Sequence, residues 1–333
     1  DAESIFNEHR ESTRGRDLDI TGLSYALLEA QGPQQWPYPE GANAGKVRLY
    51  EDGQFPTADG KARFVAVEHK LTADVLIPEL PISLLSGRMR DHWHGMSRTG
   101  TVPRLFNLED EPLLAMHPCD MRHRGLESGD LARVTNGRGE MIVRVGERSG
   151  LAKGRAWMPM HWGNQFMTTP GANALACDAI DPYSKQPELK HAAVQIEKIN
   201  LPYPLAVVRR CADQSAALEL LQQARAALAE FPYATVGLYG RSSPLVVFRA
   251  ATAVPVGDDV VTALDRLFGL EGNDGAIVYA DAVRKVSKKA IAAEGRLLGV
   301  RLVGKGGSRV ATFDQPASAL VVADHQRRTF GHA

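Results

Sequence analysis

The sequence is poor in features that would assign it quickly. It has only three cysteines, Cys119, Cys177 and Cys211, with no CxxC or CxC pair. A thiolate zinc site or an iron–sulfur cluster built from this chain alone is therefore not expected. A disulfide framework is equally unsupported, and a reducing, cytoplasmic setting fits best. No apolar run is long enough to span a bilayer, and the first residues, Asp-Ala-Glu-Ser, lack a charged-then-apolar leader pattern. Charge of one sign is not in excess: Lys+Arg and Asp+Glu are 39 each. A general nucleic-acid binder would be more basic, so no nucleic-acid partner and no membrane are expected, and any anion site must be a local patch. No P-loop, Gly-x-Gly-x-x-Gly or Gly-x-Ser-x-Gly is present, which removes the commonest nucleotide and serine-hydrolase signatures.

What is present is the composition of a globular protein of two or three domains: 333 residues, 44% hydrophobic and 23% charged. There is no initiator methionine, and the chain reads as a piece of something longer. Residues 1–32 read as helical, with Leu23, Leu27 and Leu28 on one face and Gly32-Pro33 as the stop. A proline-rich loop follows, then strand-like segments at Val47–Tyr50 and Arg63–Val67. From Ile77 to Ile199 short apolar runs alternate with turns. Asp130–Thr135 and Glu140–Val145 flank Asn136-Gly137, a dipeptide suited to a tight two-residue hairpin, and Arg155–Met160 is a further strand. Many short strands with irregular links suggest a compact β-barrel. After Leu201 the order strand 205–210, helix 215–231, hairpin 234–239 and 245–248, helix 259–268, strands 276–279 and 297–303 matches a split-βαβ, ferredoxin-like unit. Residues 306–333 form a weakly patterned, irregular tail.

The chemistry concentrates between Ser86 and Arg104. Arg88, Arg90, Arg98 and Arg104 against Asp91 give that window a local charge of +3. Ser86 and Ser97 add hydroxyls, and Gly87, Gly95 and Gly100 let backbone N–H groups approach a ligand closely. Guanidinium forks suit phosphate, while His92, Trp93 and His94 can stack on or hydrogen-bond a flat heterocycle. Together these describe a site for a large, phosphate-bearing, heteroaromatic molecule. Without further context the window reads equally well as a basic surface loop around a buried Trp. His92-x-His94 permits two metal ligands on one strand face but has no third at a familiar spacing. A second window holds Met160, His161 and Trp162, then Asn173, whose amide can both donate and accept, and Lys190, a point charge that alone would read as a solvated lysine.

The run Ser-Gly-Arg-Met-Arg-Asp-His-Trp-His-Gly-Met-Ser-Arg-Thr-Gly resembles the C-terminal cofactor signature of the molybdopterin oxidoreductases of the nitrate reductase and formate dehydrogenase type. His117-Pro118-x-Asp120, Gly125-Leu126-x-x-Gly129-Asp130, Arg138-Gly139 and Asp181-Pro182-x-Ser184-Lys185-Gln186-Pro187-x-x-Lys190 resemble the same domain. Ile5-Phe6-Asn7-Glu8-His9, Gly32-Pro33-Gln34-Gln35-Trp36-Pro37 and Pro159-Met160-His161-Trp162 look like the large catalytic subunit of bacterial assimilatory nitrate reductases.

The resemblance implies a mixed α/β chain. Residues 1–74 would be the remnant of a preceding molybdopterin-binding α/β domain. Residues 75–200 would be a double-psi β-barrel, and 201–333 a small α+β ferredoxin-like domain with its tail. It implies bis(molybdopterin guanine dinucleotide) with molybdenum as cofactor. Ser86, Gly87, Arg88, Met89, Arg90, Asp91, His92, Trp93, His94 and Gly95 would line one pterin dinucleotide, with Asn173 and Lys190 as later contacts. Met160, where related periplasmic enzymes carry Phe, and His161 would lie at the substrate funnel. The family's 4Fe–4S cysteines and molybdenum ligand would sit upstream of Asp1, and a terminal 2Fe–2S domain is not expected here. No catalytic residue or metal ligand is expected within this segment, which alone should not turn over. The implied substrate is nitrate, reduced to nitrite, with an electron-donor protein or reductase subunit as partner. The alternatives are a relative acting on formate or arsenate, and a non-catalytic cofactor-binding or docking module.

Overall fold

The structure, a computed structural model, describes residues 1–66, 68–241, 243–272 and 275–305. Residues 306–333 and Val67, the last residue of one expected strand, lie outside the described residues. The chain divides into one unit at Asp1–Lys70 and a second beginning at Leu71.

In the first unit the segment 1–32, expected to be helical, holds two short helices, α1 (Ala2–Glu11) and α2 (Tyr25–Gln31), with turns between them. Asp1 caps α1 by accepting the Ser4 N–H at 2.8 Å, and Ser24 caps α2 by accepting from Leu27 at 3.1 Å. Between them Gly15 takes φ +72°, which a helix does not allow, and its N–H donates to Asp19 at 2.7 Å. Gly32 ends α2 as expected. The expected strands at 47–50 and 63–66 are turn and irregular chain instead. Val47 and Phe64 are more than nine-tenths exposed, so neither run has a face to bury and β-propensity alone does not hold it extended.

The second unit contains a closed barrel of β1 (Ile82–Gly87), β2 (Leu113–Met116), β3 (Leu131–Thr135), β4 (Glu140–Glu147), β5 (Arg155–Pro159) and β6 (His191–Lys198), with α3 (Pro118–His123) between β2 and β3. Around the barrel the order is β1-β5-β2-β4-β3-β6. The pairs β1/β5 and β2/β4 are parallel, and the other four are antiparallel. Alternate residues fill the interior: Ile82 and Leu84, Ala132 and Val134, Met141, Val143 and Val145, Ala156 and Met158, Ala192, Val194 and Ile196. The β3–β4 hairpin forms at the expected place, but its loop is four residues long, because Thr135 pairs with Glu140. Neither Asn136 nor Gly137 takes a positive φ. Asn136 instead uses its side-chain oxygen to accept the Arg138 and Gly139 N–H groups, at 3.0 and 3.3 Å.

Beyond the barrel a six-stranded sheet is built from β7 (Tyr203–Arg210), β8 (Tyr233–Tyr239), β9 (Leu245–Thr252), β10 (Ile277–Asp281), β11 (Val286–Ala293) and β12 (Arg296–Val303). Its order is β10-β11-β12-β7-β9-β8, every pair antiparallel. Two helices, α4 (Gln214–Ala224) and α5 (Asp258–Leu267), bury Leu221 and Leu264 in a core shared with Val207, Val236 and Phe248. The helix expected over 215–231 narrows after Ala224 into a 3-10 turn, Arg225–Glu230. In this sheet β11 is the strand that the sequence reading lacks, and in the barrel unit it lacks β1, β2, β6 and α3. No helix among the described residues is long and apolar enough to cross a membrane.

Candidate functional site

Register places the candidate residues at one end of the barrel. Parallel β1 and β5 finish together, Gly87 opposite Pro159, so the segments beginning at Arg88 and at Met160 leave side by side. Antiparallel β6 begins at this end, His191 opposite Leu85, which puts Lys190 there too. Ser86 makes the link: its hydroxyl donates to the Leu189 carbonyl at 2.9 Å, and its N–H points to the Lys190 carbonyl at 3.4 Å. The β3–β4 loop also points this way, since β3 runs antiparallel to β6, ends with Thr135 opposite Gln195, and Asn136 beyond it donates to the Ala193 carbonyl at 3.3 Å.

Asn173 reaches the same end on a plug. It sits in the 3-10 turn Gly171–Leu175, whose Ala172 and Leu175 are buried in the barrel interior. The turn is held from the hairpin, where Asn136 donates to the Leu175 carbonyl at 2.9 Å and Arg138 donates to it at 2.9 Å. Arg138 also forks onto Asp74, at 3.2 and 2.5 Å, and Asp74 accepts the Ala193 N–H at 2.7 Å. Burial pushes the Asp74 carboxyl up, but the Arg138 guanidinium and these donors bring it below its ordinary value. Gly171 is required where it stands: its φ is +71°, and a Cβ would lie 2.1 Å from the Trp162 carbonyl oxygen.

The segment 86–96 has an inside and an outside. Met89, His92 and Met96 are buried, and Met89 and Met96 join a core with Phe106, Trp162 and Phe166. Arg88, Arg90, Trp93, His94 and Gly95 are exposed, and Asp91 is half-buried beside Arg90, 3.3 Å from its Nε. The Arg88 guanidinium lies 5.3 Å from the Trp93 ring centre, and the Trp93 and His94 rings meet edge to face at 4.5 Å. The chain reverses here through two non-glycine residues of positive φ, His94 at +43° and Met96 at +61°. Gly87 packs against Trp157, whose Nε1 would be 2.8 Å from an added Cβ.

The two histidines behind this surface are buried and neutral in character. His161 is 1% exposed; its Nε2 accepts the Met89 N–H at 2.8 Å and its Nδ1 lies 2.6 Å from the His94 carbonyl. Because an amide only donates and a carbonyl only accepts, the proton sits on Nδ1. Burial holds its pKa below the ordinary value, against the His94 carbonyl, which raises it. His92 is 5% exposed, with its Nδ1 3.3 Å from Thr99 Oγ1, and burial, then the neighbouring His161, push its pKa down to about 4. Its Nε2 is buried without a hydrogen-bond partner. Both ring nitrogens of His161 are occupied by backbone, so neither is free for a substrate. Met160 is half-buried, its N–H donating to the Gly87 carbonyl at 2.8 Å.

The structure therefore brings residues 86–95, Met160, His161, Asn173 and Lys190 to one barrel end. Asn173 and Lys190 are exposed there, and among the described residues Arg88, Arg98 and Lys190 form no ion pair. Such cations, an exposed indole and a free amide are the donor set an anionic heterocycle needs. Asn136, Arg138 and Asp74, which carry the plug, were not among the candidate site residues. Asn136-Gly137 reads in the sequence as a hairpin turn, and Arg138-Gly139 only as part of the family resemblance with no role in the site. Among the described residues no three His, Cys, Asp or Glu side chains converge as a metal site.

Comparison with known proteins finds a family model over this region. Residues 82–193 match the family described as the molydopterin dinucleotide binding domain. A nitrate reductase from Klebsiella oxytoca is 37% identical over 200 residues, 58% of this chain and 22% of that protein. A nitrate reductase from Synechocystis is 34% identical over 203 residues, 60% of this chain and 28% of that protein. An F420-dependent formate dehydrogenase subunit alpha from Methanocaldococcus jannaschii is 31% identical over 197 residues, 59% of this chain and 28% of that protein. The match thus spans about a quarter of these relatives' lengths. These findings identify residues 82–193 as a molydopterin dinucleotide binding domain.

Proposed function

We propose that this chain, through its molydopterin dinucleotide binding domain, holds a molybdopterin guanine dinucleotide for an enzyme that reduces nitrate to nitrite in nitrate assimilation. The observation that carries the reading is the convergence at one barrel end of the 86–95 segment, Asn173 and Lys190, which share no local sequence. Arg88 and Arg98 would neutralise the pyrophosphate, backbone N–H groups near Gly95 would approach it, and Trp93 and His94 would flank a ring. Asn173 and Lys190 would close the pocket from the plug and from the start of β6. Ser86, Gly87, Met89, Asp91 and His92 would shape the segment from beneath, and Met160 would border the substrate route. When bound, the molybdenum group supplies the redox chemistry, and the chain's residues bind and orient it.

The same reading takes the cofactor as the bis(dinucleotide) form, with a 4Fe–4S cluster elsewhere in the enzyme and an electron-donor protein as partner in the cytoplasm. It takes residues 1–74, 75–200 and 201–333 as three domains. The barrel would be of the double-psi kind, supported by its two parallel pairs. The second sheet would be ferredoxin-like at its centre, supported by the order β12-β7-β9-β8 with the β10–β11 hairpin added outside.

The test is the guanylate and molybdenum content of the purified full-length enzyme. Guanosine monophosphate released by acid hydrolysis, together with molybdenum, is the expected result, and Arg88→Ala should lower both several-fold. Unchanged contents in that variant would refute the assignment. Formate oxidation is the second reading, favoured by the identity to the formate dehydrogenase subunit. Formate oxidised without any nitrate reduced would replace the first reading with it.

A further inference from the structure

We infer that His161 is a positioning residue that holds the left-handed turn of the 86–95 segment in its ligand-ready shape; the inference rests on the dinucleotide reading above. The imidazole bridges two points of one loop. Nε2 accepts from Met89 N–H at 2.8 Å and Nδ1–H donates to the His94 carbonyl at 2.6 Å. Between those two points lie Arg90, Asp91, His92 and Trp93, so a single rigid ring sets the distance across the loop. His94 stands at φ +43°, a conformation an L residue leaves unless its surroundings hold it. The bond from His161 falls on the carbonyl of that same residue. The exposed stack of Arg88, Trp93 and His94 depends on this reversal.

The sequence leaves His161 as a residue pointing toward substrate, but its environment does not suit that task. It is 1% exposed, and its ring sits 6.4 Å from Trp162 and 5.7 Å from His92. The charged and titratable groups facing it are His92, His94 and Arg88, with Asp91 acting on His92. Besides burial, Arg88 and His94 disfavour a positive charge on His161. Protonated His161 would carry hydrogens on both nitrogens and lose its acceptor for Met89. The loop should therefore hold its shape while His161 is neutral and lose it in acid.

The probe is guanosine diphosphate, titrated calorimetrically into the full chain, with amide hydrogen exchange of segment 88–95 read alongside. His161→Leu removes both bonds, and His161→Gln keeps an acceptor near the Nε2 position without a titrating group. In wild type, binding should hold at neutral pH and weaken only in acid, below the ordinary histidine range, because burial lowers the His161 pKa. His161→Leu should weaken binding at neutral pH about tenfold, one net hydrogen bond's worth, and Met89 should lose exchange protection. His161→Gln should retain most affinity and flatten the pH profile, which loss of packing alone would not do. If His161→Leu does not fold, the Gln profile and its Met89 protection decide. Protection at Met89 unchanged in His161→Leu, or a pH profile in His161→Gln identical to wild type, overturns the inference. If wild type does not bind the diphosphate, the dinucleotide reading fails, and Met89 exchange still decides whether His161 holds the loop.

Discussion

Removing one hydroxyl at the junction of barrel and sheet should measure how that junction is held. Tyr233 is 2% exposed on β8, and its O–H donates to Glu111 Oε2 at 2.7 Å. The other carboxylate oxygen of Glu111 accepts from Arg144 Nε on β4 at 2.9 Å. Beside them Arg249 of β9, 4% exposed, pairs with Asp110 at 2.6 Å. Tyr233→Phe keeps the ring and its packing, so no cavity term enters, and what is lost is one hydrogen bond to a buried charge. That bond contributes about 1.5–3 kcal/mol. With a urea slope of roughly 1–3 kcal/mol/M the midpoint should fall by about 1 M. Near-UV circular dichroism and tryptophan fluorescence should be followed together, because the comparison needs coincident transitions. The effect has a pH signature. Burial pushes the Glu111 carboxyl up, but Arg144, Arg249 and the Tyr233 hydroxyl bring it net below its ordinary value. A carboxylate with a lowered folded pKa adds stability above its unfolded pKa, and that stability is lost as pH falls through the folded value. The gap between wild type and Tyr233→Phe should thus be full at neutral pH and shrink in acid. A loss below about 0.5 kcal/mol at neutral pH, or a gap that persists in acid, would refute this account.

Two further substitutions probe the barrel end. Gly171→Ala combines a positive φ with a Cβ 2.1 Å from the Trp162 oxygen; it should destabilise by about 1–3 kcal/mol in thermal unfolding and weaken guanosine diphosphate binding by moving Asn173. An unchanged melting temperature would show that the plug tolerates the shift. Asp74→Asn removes the Arg138 ion pair, whose carboxylate is 12% and guanidinium 35% exposed; a loss near 1 kcal/mol is expected, smaller in high salt and absent in acid, where the Asp74 carboxylate is already protonated. Equal loss at all salt concentrations would mean that the Ala193 bond, rather than the charge, holds the segment.

The strands β3, β4 and β5 were legible as apolar runs between turns, although β3 and β4 also bury Leu131 and Ile142 outside the barrel interior. Alternation in Met141, Val143 and Val145 marks β4, and the Asn136 hairpin follows from its neighbours. The loop length was not legible, because Asn136 spends its side chain on the Leu175 and Ala193 carbonyls, 39 and 57 residues away. The same limit applies to β11: Val-Ser-Lys-Lys-Ala-Ile-Ala-Ala lacks β-branched density and is extended because β10 and β12 flank it. The opposite failure is Val47–Tyr50, where local composition favours a strand that finds no partner among the described residues. In the candidate site, Arg88, Trp93 and His94 announce themselves by residue type. His161, Asp74 and Arg138 act through backbone contacts that only the fold creates.

The register explains why chemistry and scaffold separate so cleanly in this chain. Two parallel strands ending together must send their following segments out of the same opening, here from Gly87 and from Pro159. The first segment returns its apolar side chains, Met89 and Met96, to the core of the neighbouring sheet, which leaves the arginines outside. The second runs through His161 to Phe166, whose carbonyl accepts the Val236 N–H at 2.9 Å, then turns at Gly171 to plug the barrel. Each segment is thus anchored by apolar burial and by the buried His92 and His161, while Arg90, Trp93 and His94 stay exposed. A basic loop anchored in this way loses little further conformational entropy on meeting an anion, and that is what distinguishes a prepared site from a solvated basic surface.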